Sequence, residues 1–106
     1  MSRLRPPQVE LKQFYYFLVL SRHRSISSAA NELGITQPSL SACVSGLEDR
    51  LGLQLVTRQS RGVQLTEGGQ ALALYAEEVI EKTDAALDRI KEMATDIRGD
   101  MSLAMP

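Results

Sequence analysis

One stretch of this chain, between Gly34 and Gly52, carries polar side chains that are mostly small and uncharged. If it forms a helix with its apolar residues turned inward, its outward face carries the small or uncharged residues Gln37, Ser39, Ser41, Ala42, Ser45 and Gly46. A solvated helix normally carries charged residues on that face. Amide and hydroxyl groups can hydrogen-bond to base edges in a DNA major groove, so the chemistry indicated is recognition of a duplex.

Two arginines further along the chain add positive charge to this chemistry. Arg58 and Arg61 lie in a short polar segment that ends at Gly62. Apolar residues alternate with others on both sides of it, at Leu53, Leu55, Val63 and Leu65. The alternation predicts a β-hairpin with Gly62 at its turn, and arginines on such a tip suit contacts with DNA. A solvated loop is the alternative, and Arg58 could instead form an ion pair with Glu48.

A third positively charged group is the triplet Arg22-His23-Arg24. Its arginines could stabilise the C-terminus of the preceding helix, or they could contact phosphates. His23 is the only histidine and has no cysteine nearby, so we expect no metal site. We also find no carboxylate pair, nucleophile–base pair or metal cluster, and therefore expect neither enzyme activity nor a bound cofactor in this chain.

Local signals indicate how the uncharged face is positioned. Gly34 suits the end of a short helix, and Thr36 suits an N-cap with Pro38 in the first turn that follows. Apolar residues then recur at spacings of four, three and four, at Leu40, Val44, Leu47 and Leu51. These signals predict a helix that ends at Gly52, preceded by a tight turn and another helix, which is a helix-turn-helix.

Two further helices are predicted on the N-terminal side. The first should begin near Gln8, after the Pro6-Pro7 pair, and its apolar residues cover more than half of its surface. The second should be capped by Ser25 or Ser27. Its inner face is narrow because it consists of small residues around Ala29 and Ala30, which allows a close helix crossing.

A long helix is predicted from Glu67 to Arg98, with Thr66 as its cap. Its apolar residues keep a heptad register through Leu72, Ala76, Val79, Thr83, Ala86, Ile90, Met93 and Ile97. At 1.5 Å per residue this helix would be about 48 Å long, far more than the small N-terminal core can cover. We therefore predict self-association. A core helix buried within the chain is the alternative, but too little sequence remains to bury it.

The overall composition is compatible with a DNA-binding protein once the chain is divided. The 106 residues have a net charge of −1, but residues 1–66 hold eight basic and four acidic side chains, and residues 67–98 hold four and eight. Such segregation is a hint of nucleic-acid binding. The single cysteine, Cys43, and the lack of a signal peptide or of an apolar run near 20 residues predict a cytoplasmic protein without a membrane span.

In its landmarks the chain resembles the N-terminal part of a LysR-type transcriptional regulator. The landmarks lie within residues 8–70: Phe17, Ser25, Ile26, Ser27, Ser28, Ala29, Ala30, Leu33, Thr36, Gln37, Pro38, Ser39, Leu40, Ser41, Leu47, Glu48, Leu51, Gly52, Leu55, Arg58, Arg61, Gly62, Leu65, Thr66 and Gly69. The resemblance implies a mainly α fold. A winged helix-turn-helix of three helices and a hairpin wing would occupy residues 1–66, and a dimerisation linker helix residues 67–98. Residues 99–106 resemble the hinge and first strand of an effector-binding domain.

The resemblance also implies roles for individual residues. Base contacts are expected from Gln37, Pro38, Ser39, Ser41, Ala42 and Arg61. Phosphate contacts are expected from Ser27, Ser28, Thr36 and Arg58, although Thr36 also serves as an N-cap. Arg22 and Arg24 are added to them because of their charge and their position beside the turn into the next helix. Dimerisation contacts are expected from Leu72, Val79, Ala86, Ile90, Met93 and Ile97. At Ala42 the family often has Arg or Lys, and at Val56 it usually has Phe or Leu; the first departure affects a base contact and the second only packing.

The partners that the resemblance implies are double-stranded DNA with an interrupted palindromic operator, and a second copy of the chain. The full-length protein would be a tetramer that binds a small-molecule inducer in its C-terminal domain, with RNA polymerase as a further candidate partner. A competing interpretation is an assembly module that uses the same fold without binding DNA. A specific, salt-dependent complex with duplex DNA would distinguish the two.

Overall fold

The computed structural model describes the backbone of residues 4–104 and the side chains of residues 4–97. In chain order it consists of α1 (Leu11–Ser21), α2 (Ile26–Leu33), α3 (Gln37–Leu51), β1 (Val56–Gln59), β2 (Gly62–Leu65) and α4 (Glu67–Ala104). We call residues 4–66 the head and α4 the linker helix. The predicted fold class, three helices and a hairpin followed by a long helix, is confirmed.

The helix-turn-helix is defined by local caps at the positions that the sequence predicts. Ser25, rather than Ser27, caps α2, because its hydroxyl oxygen accepts the Ser28 N–H at 3.0 Å. Thr36 caps α3 by accepting the Ser39 N–H at 3.2 Å. Gly34 follows α2 with φ of 70°, a left-handed conformation that a side chain disfavours, and so turns the chain into α3.

The first helix begins later than predicted. We expected it near Gln8, but α1 starts at Leu11. Glu10 occupies the N-cap position, and its N–H donates to the Gln13 side chain at 2.8 Å. This bond satisfies a free donor at the helix end, and it fixes the start more strongly than the distance from the proline pair does.

The core of the head lies at the meeting point of its three helices and the segment that precedes the hairpin. Phe17, Leu40, Leu47 and Leu55 are fully buried there, one or two from each of α1, α3 and the segment after α3. Burial of each such side chain contributes roughly 1.5–3 kcal/mol to stability. The small Ala29 of α2 is also fully buried, in line with the small-residue inner face that the sequence predicts.

The predicted hairpin is present, but its first strand starts later than the apolar alternation suggests. Leu53 and Leu55 precede β1, which begins at Val56 and pairs antiparallel with β2 from Val56 opposite Leu65 to Gln59 opposite Gly62. The Glu48 carboxylate accepts the N–H of Leu55 at 2.8 Å and that of Val56 at 3.4 Å. These bonds hold the segment against α3, so it joins the ladder only after Leu55.

The hairpin is fixed to the loop between α1 and α2. The Val63 N–H donates to the Arg24 carbonyl at 2.9 Å. Gly62 has φ of 129°, and a Cβ there would lie 2.1 Å from the same carbonyl oxygen. Glycine is therefore required at this position by both the backbone conformation and the available space.

The linker helix starts at a rigid joint. The Thr66 hydroxyl accepts the Gly69 N–H at 3.0 Å, and it donates to the Gln54 carbonyl at 2.6 Å. Gly69 packs so closely on the head that a Cβ would lie 2.1 Å from the Leu55 carbonyl oxygen. The N-terminal part of the linker helix then packs on α1, and Ala76 is fully buried.

The far end of the linker helix differs from the prediction. We expected a helix to Arg98 and then the start of a strand over residues 99–106, but the helix continues to Ala104. Met101, Leu103 and Ala104 are good helix formers, and beyond the first turn Gly99 is the only glycine or proline between Glu67 and Ala104. A strand needs a partner, and the two described strands pair with each other. Residues 105–106 lie outside the described part of the chain.

Over residues 4–104, no helix combines the length and the hydropathy of a membrane span. The linker helix is long enough but carries charged side chains throughout, including Glu77, Lys82 and Asp88.

Candidate nucleic-acid interface

The N-terminal half of α3 presents the uncharged surface that its sequence predicts. Gln37, Pro38, Ser39 and Ala42 are exposed, and Ser41 is half-buried. On the opposite side Leu40, Val44 and Leu47 are buried in the core. The helix is thus fixed in rotation, and its exposed face offers an amide, hydroxyls and a methyl group near its free N-terminus. Such a surface can hydrogen-bond to base edges and attract an anionic phosphate.

Two hydroxyls at the start of α3 are connected to each other. Thr36 donates its hydroxyl proton to Ser39 Oγ at 2.9 Å while its own oxygen accepts the Ser39 N–H. The predicted capping role of Thr36 is confirmed, and its phosphate contact stays a prediction. Because Ser39 accepts this bond, its own hydroxyl proton remains available to an external acceptor.

Arg58 connects the hairpin to α3. Its Nη2 lies 3.4 Å from Ser41 Oγ. The alternative ion pair with Glu48 is wrong, because the Glu48 carboxylate faces the backbone N–H groups of Leu55 and Val56 instead. Arg58 therefore lies on the exposed side, at the cleft between the hairpin and the N-terminus of α3.

Arg61 lies in the two-residue turn between β1 and β2, and its side chain is exposed. None of the described side chains hydrogen-bonds or ion-pairs with its guanidinium. The hairpin thus presents a positive charge at its tip, on a strand pair anchored to the rest of the head. Gln59 and Gln64 stiffen the pair, since their side chains hydrogen-bond to each other at 2.6 Å.

The two arginines of the α1–α2 loop, Arg22 and Arg24, have different neighbours. Arg22 forms an ion pair with Glu77 of the linker helix, with 2.6 Å between Nη2 and Oε2. A phosphate contact by Arg22 would have to replace this carboxylate. Arg24 is exposed, and its carbonyl holds the hairpin. The phosphate roles of both arginines stay predictions.

A hydrogen-bonded group on α2 was missed by the sequence analysis. His23 Nδ1 lies 2.6 Å from Ser28 Oγ, and Nε2 lies 2.6 Å from Glu32 Oε1. The spacing of four between Ser28 and Glu32 indicates one helix face. What the sequence did not reveal is that the loop folds His23 back onto that face. Among the described residues, no group of His, Cys, Asp or Glu side chains is arranged to hold a metal ion.

Ser27 and Ser28 share a cleft with Thr36 and Gln37, between α2 and the start of α3. The structure therefore brings three of the predicted phosphate ligands next to a predicted base contact. Cys43 faces away from this cleft, beside Tyr16 of α1, and burial raises the pKa of its thiol.

The apolar stripe of the linker helix divides into two parts. Leu72 and Ala76 pack against the head. Further along, the exposed fraction is 59% for Ile90, 57% for Met93 and 55% for Ile97. The intrachain core-helix alternative is therefore wrong for this part, and the dimerisation roles stay predictions.

Comparisons with known proteins agree with this geometry. The family described as "Bacterial regulatory helix-turn-helix protein, lysR family" matches residues 11–70. The chain is 37% identical over 97 residues to the HTH-type transcriptional regulator BudR of Klebsiella aerogenes, covering 92% of this chain and 68% of that protein. It is 36% identical over 90 residues to the HTH-type transcriptional regulator TdcA of Escherichia coli K12, covering 85% of this chain but 29% of TdcA.

Solved structures show the same likeness. The crystal structure of a CbnR DBD–DNA complex matches with a TM-score of 0.78 at 30% identity, covering 81% of this chain and 99% of that one. A BenM DBD complex with catB site 1 DNA matches with a TM-score of 0.77 at 35% identity, covering 81% and 96%. Full-length BenM matches with a TM-score of 0.72 at 35% identity, and this chain spans 27% of its length.

Proposed function

Since this chain belongs to the lysR family of bacterial regulatory helix-turn-helix proteins, we propose that it binds double-stranded DNA sequence-specifically as the DNA-binding part of a transcriptional regulator. The observation that carries the proposal is the exposed, uncharged N-terminal face of α3 beside the arginines of the hairpin. Similar chains in the CbnR and BenM structures were crystallised with DNA, which supports it.

In the proposed complex α3 lies in the major groove. Its base-contacting residues are Gln37, Pro38, Ser39, Ser41 and Ala42. A glutamine can pair with adenine through two hydrogen bonds, and a serine can serve several bases. Because no Lys or Arg occurs between Arg24 and Arg50, attraction to phosphates comes from the helix N-terminus and from cations around it.

The hairpin is the wing in this proposal, and Arg61 at its tip enters the minor groove. A narrow, A·T-rich minor groove has an enhanced negative potential, which favours an inserted guanidinium. Ser27, Ser28, Thr36, Arg24 and Arg58 surround the start of α3 and contact phosphates there. Arg22 contributes if it exchanges Glu77 for a phosphate.

We further propose that the linker helices of two chains pair, so that two heads bind an interrupted palindrome. The exposed apolar residues beyond Thr83 support this, because water contact with such a stripe is unfavourable. A tetrameric full-length protein, an inducer in a C-terminal domain, contact with RNA polymerase and a cytoplasmic location complete the proposal. We attribute no enzymatic role to the chain.

The first experiment measures affinity for a duplex that this chain protects in footprinting of genomic DNA, between about 50 and 200 mM salt. A scrambled duplex of equal composition is the reference. We expect Arg61→Ala to make the slope of log K against log salt less steep by about 0.9, the value expected when the protein loses one cation that contacts the DNA. Lys91→Ala removes one positive charge on the linker helix, far from the wing, and should leave the slope unchanged.

Two results would contradict the proposal at different levels. Equal slopes for Arg61→Ala and the unchanged protein would show that the wing does not contact DNA. Failure to distinguish the protected duplex from the scrambled one at any salt concentration would contradict sequence-specific binding itself, and would favour the assembly-module interpretation.

The second experiment concerns Ala42, an exposed methyl group on the proposed reading face. A methyl group can contact the thymine methyl, whereas an arginine at the same place pairs with guanine. We expect Ala42→Arg to steepen the salt slope by about 0.9 and to shift preference toward G at one position of the half-site. Binding to half-sites varied at each position measures both effects. If neither changes, residue 42 does not face DNA.

A further inference from the structure

The imidazole of His23 is held between two side chains of α2. Its Nδ1 is 2.6 Å from Ser28 Oγ and its Nε2 is 2.6 Å from Glu32 Oε1. The His23 side chain is only 20% exposed, so most of the ring is shielded from solvent. It is the only histidine of the chain.

The carboxylate determines how the neutral ring is protonated. An ionised carboxylate only accepts hydrogen bonds, so the Nε2–H of His23 must donate to Glu32. A neutral imidazole has one N–H, which leaves Nδ1 as an acceptor. Ser28 must then donate its hydroxyl proton to Nδ1, and its oxygen can offer only lone pairs to a further partner.

Protonation of the ring reverses the bond between His23 and Ser28. Both ring nitrogens then carry hydrogen, so Nδ1–H donates to Ser28 Oγ while Nε2–H still donates to Glu32. The Ser28 hydroxyl proton becomes free to point outward. This matters because a phosphate diester accepts hydrogen bonds but cannot donate one.

Ser28 lies where a change in the direction of its hydroxyl group would affect the proposed DNA contact. It is exposed and lines the cleft with Ser27, Thr36 and Gln37, at the N-terminus of α3. Its backbone is fixed because its N–H donates to Ser25 Oγ at 3.0 Å, so reversal of the side-chain bond needs no movement of α2.

We propose that His23 is a positioning residue for DNA binding: its protonation turns the Ser28 hydroxyl from an inward donor into a donor to a DNA phosphate. The proposal rests on the DNA-binding function proposed above. His23 itself does not touch DNA in this arrangement. Binding to a duplex then takes up a proton, so affinity rises as the pH falls through the titration of the imidazole.

The charged groups around the ring act in opposite directions. Glu32 places a negative charge beside the ring, with its Oε1 at 2.6 Å from Nε2, and the chain neighbours Arg22 and Arg24 carry positive charges. Arg22 is largely compensated by Glu77 of the linker helix, which pairs with it at 2.6 Å. DNA phosphates would add negative charge on the exposed side of the cleft.

The test compares duplex affinity at about pH 6 and pH 8, which span the usual range of histidine titration. For the unchanged protein we expect binding to be about tenfold tighter at the lower pH, the typical effect of one hydrogen bond to a charged group. His23→Gln should abolish this ratio without changing any other titrating group. Ser28→Ala should reduce it to the small effect of the imidazole charge although the imidazole can still be protonated, and Ser28→Thr should restore the full ratio because the hydroxyl returns.

A second readout separates positioning from simple charge attraction. The titration of the imidazole is followed by NMR with and without duplex DNA. Linkage requires DNA to raise the pH at which the ring protonates if protonation strengthens binding. We expect a large rise in the unchanged protein and in Ser28→Thr, and only the small rise due to phosphate charge in Ser28→Ala.

The outcomes distinguish this inference from the function on which it rests. If no duplex is bound specifically at either pH, the proposed function fails. If DNA is bound but Ser28→Ala keeps the full pH ratio, His23 acts through its charge alone and the positioning role is wrong. A pH ratio near one in the unchanged protein would overturn the inference in the same way.

Discussion

The head and the distal part of the linker helix carry similar apolar helical patterns but use them differently. In α3 the side chains of Leu40 and Leu47 are fully buried, whereas on the linker helix Leu87 and Ile90 are 48% and 59% exposed. The difference arises because α1, α2 and α3 converge on one point, while the linker helix leaves the head after about Thr83. Apolar periodicity thus identifies a face that must be covered, and only the tertiary arrangement shows whether the same chain covers it.

The largest expected effect compares the same truncation in the two regions. Leu40→Ala should lower the free energy of unfolding by about 2–5 kcal/mol, because it leaves a cavity in a closed core. Leu87→Ala should change it by less than about 0.5 kcal/mol at a protein concentration where the chain is monomeric, because the side chain is already in contact with water. Urea denaturation of both variants measures the difference.

Equal losses in the two variants would mean that Leu87 is covered within one chain. The comparison between a self-sufficient head and a partner-dependent helix would then be wrong.

The second effect tests what covers the exposed stripe. Ile90→Asp should place an unpaired charge between two linker helices and shift the chain to monomer. The dissociation constant of the dimer should rise at least about tenfold. Affinity for a two-site operator should fall as well, because the two heads are no longer linked. Sedimentation at several protein concentrations measures the association.

Thr95→Asp provides the control for this variant. It introduces the same charge on the opposite side of the helix, at another exposed position, and should leave the association unchanged. An intact dimer in Ile90→Asp would contradict the heptad assignment, and dissociation in both variants would point to a general effect of charge.

The smallest expected effect concerns the ion pair between the two regions. Arg22 and Glu77 have exposed side chains, at 62% and 43%, and such pairs contribute about 0–1 kcal/mol. A double-mutant cycle with Arg22→Ala and Glu77→Ala should therefore give a coupling below about 1 kcal/mol that decreases further with salt. A coupling that is larger and insensitive to salt would mean that this contact, rather than apolar packing, fixes the linker helix to the head.

Sequence reasoning succeeded where structure is determined locally. The Thr36 cap, the Gly34 turn and the buried face of α3 each depend on residues within a few positions of one another. The start of β1 was misplaced because it depends on Glu48, several residues away on α3, whose carboxylate holds Leu55 and Val56. The predicted end of the linker helix was wrong because residues that resemble a strand do not form one without a strand to pair with.

The candidate site shows the same division between features that depend on nearby residues and features that depend on tertiary contacts. The exposed face of α3 and the arginine at the hairpin tip follow from periodicity and turn residues. The bond between Arg58 and Ser41, the pairing of Arg22 with Glu77, and the seat of His23 on α2 require knowledge of how loops fold back. No local pattern contains that information.

The joint at Thr66 has a mechanical consequence. Its hydroxyl bonds both the head and the first turn of the linker helix, and the close seat of Gly69 leaves no clearance there. The helix beyond it is 38 residues long, so at 1.5 Å per residue it forms a lever of about 57 Å. Tilting this lever by one degree at the joint moves its far end by about 1 Å. In the proposed dimer, a change of a few degrees at Thr66 would therefore change the distance between the two heads by an amount comparable to the spacing of base pairs.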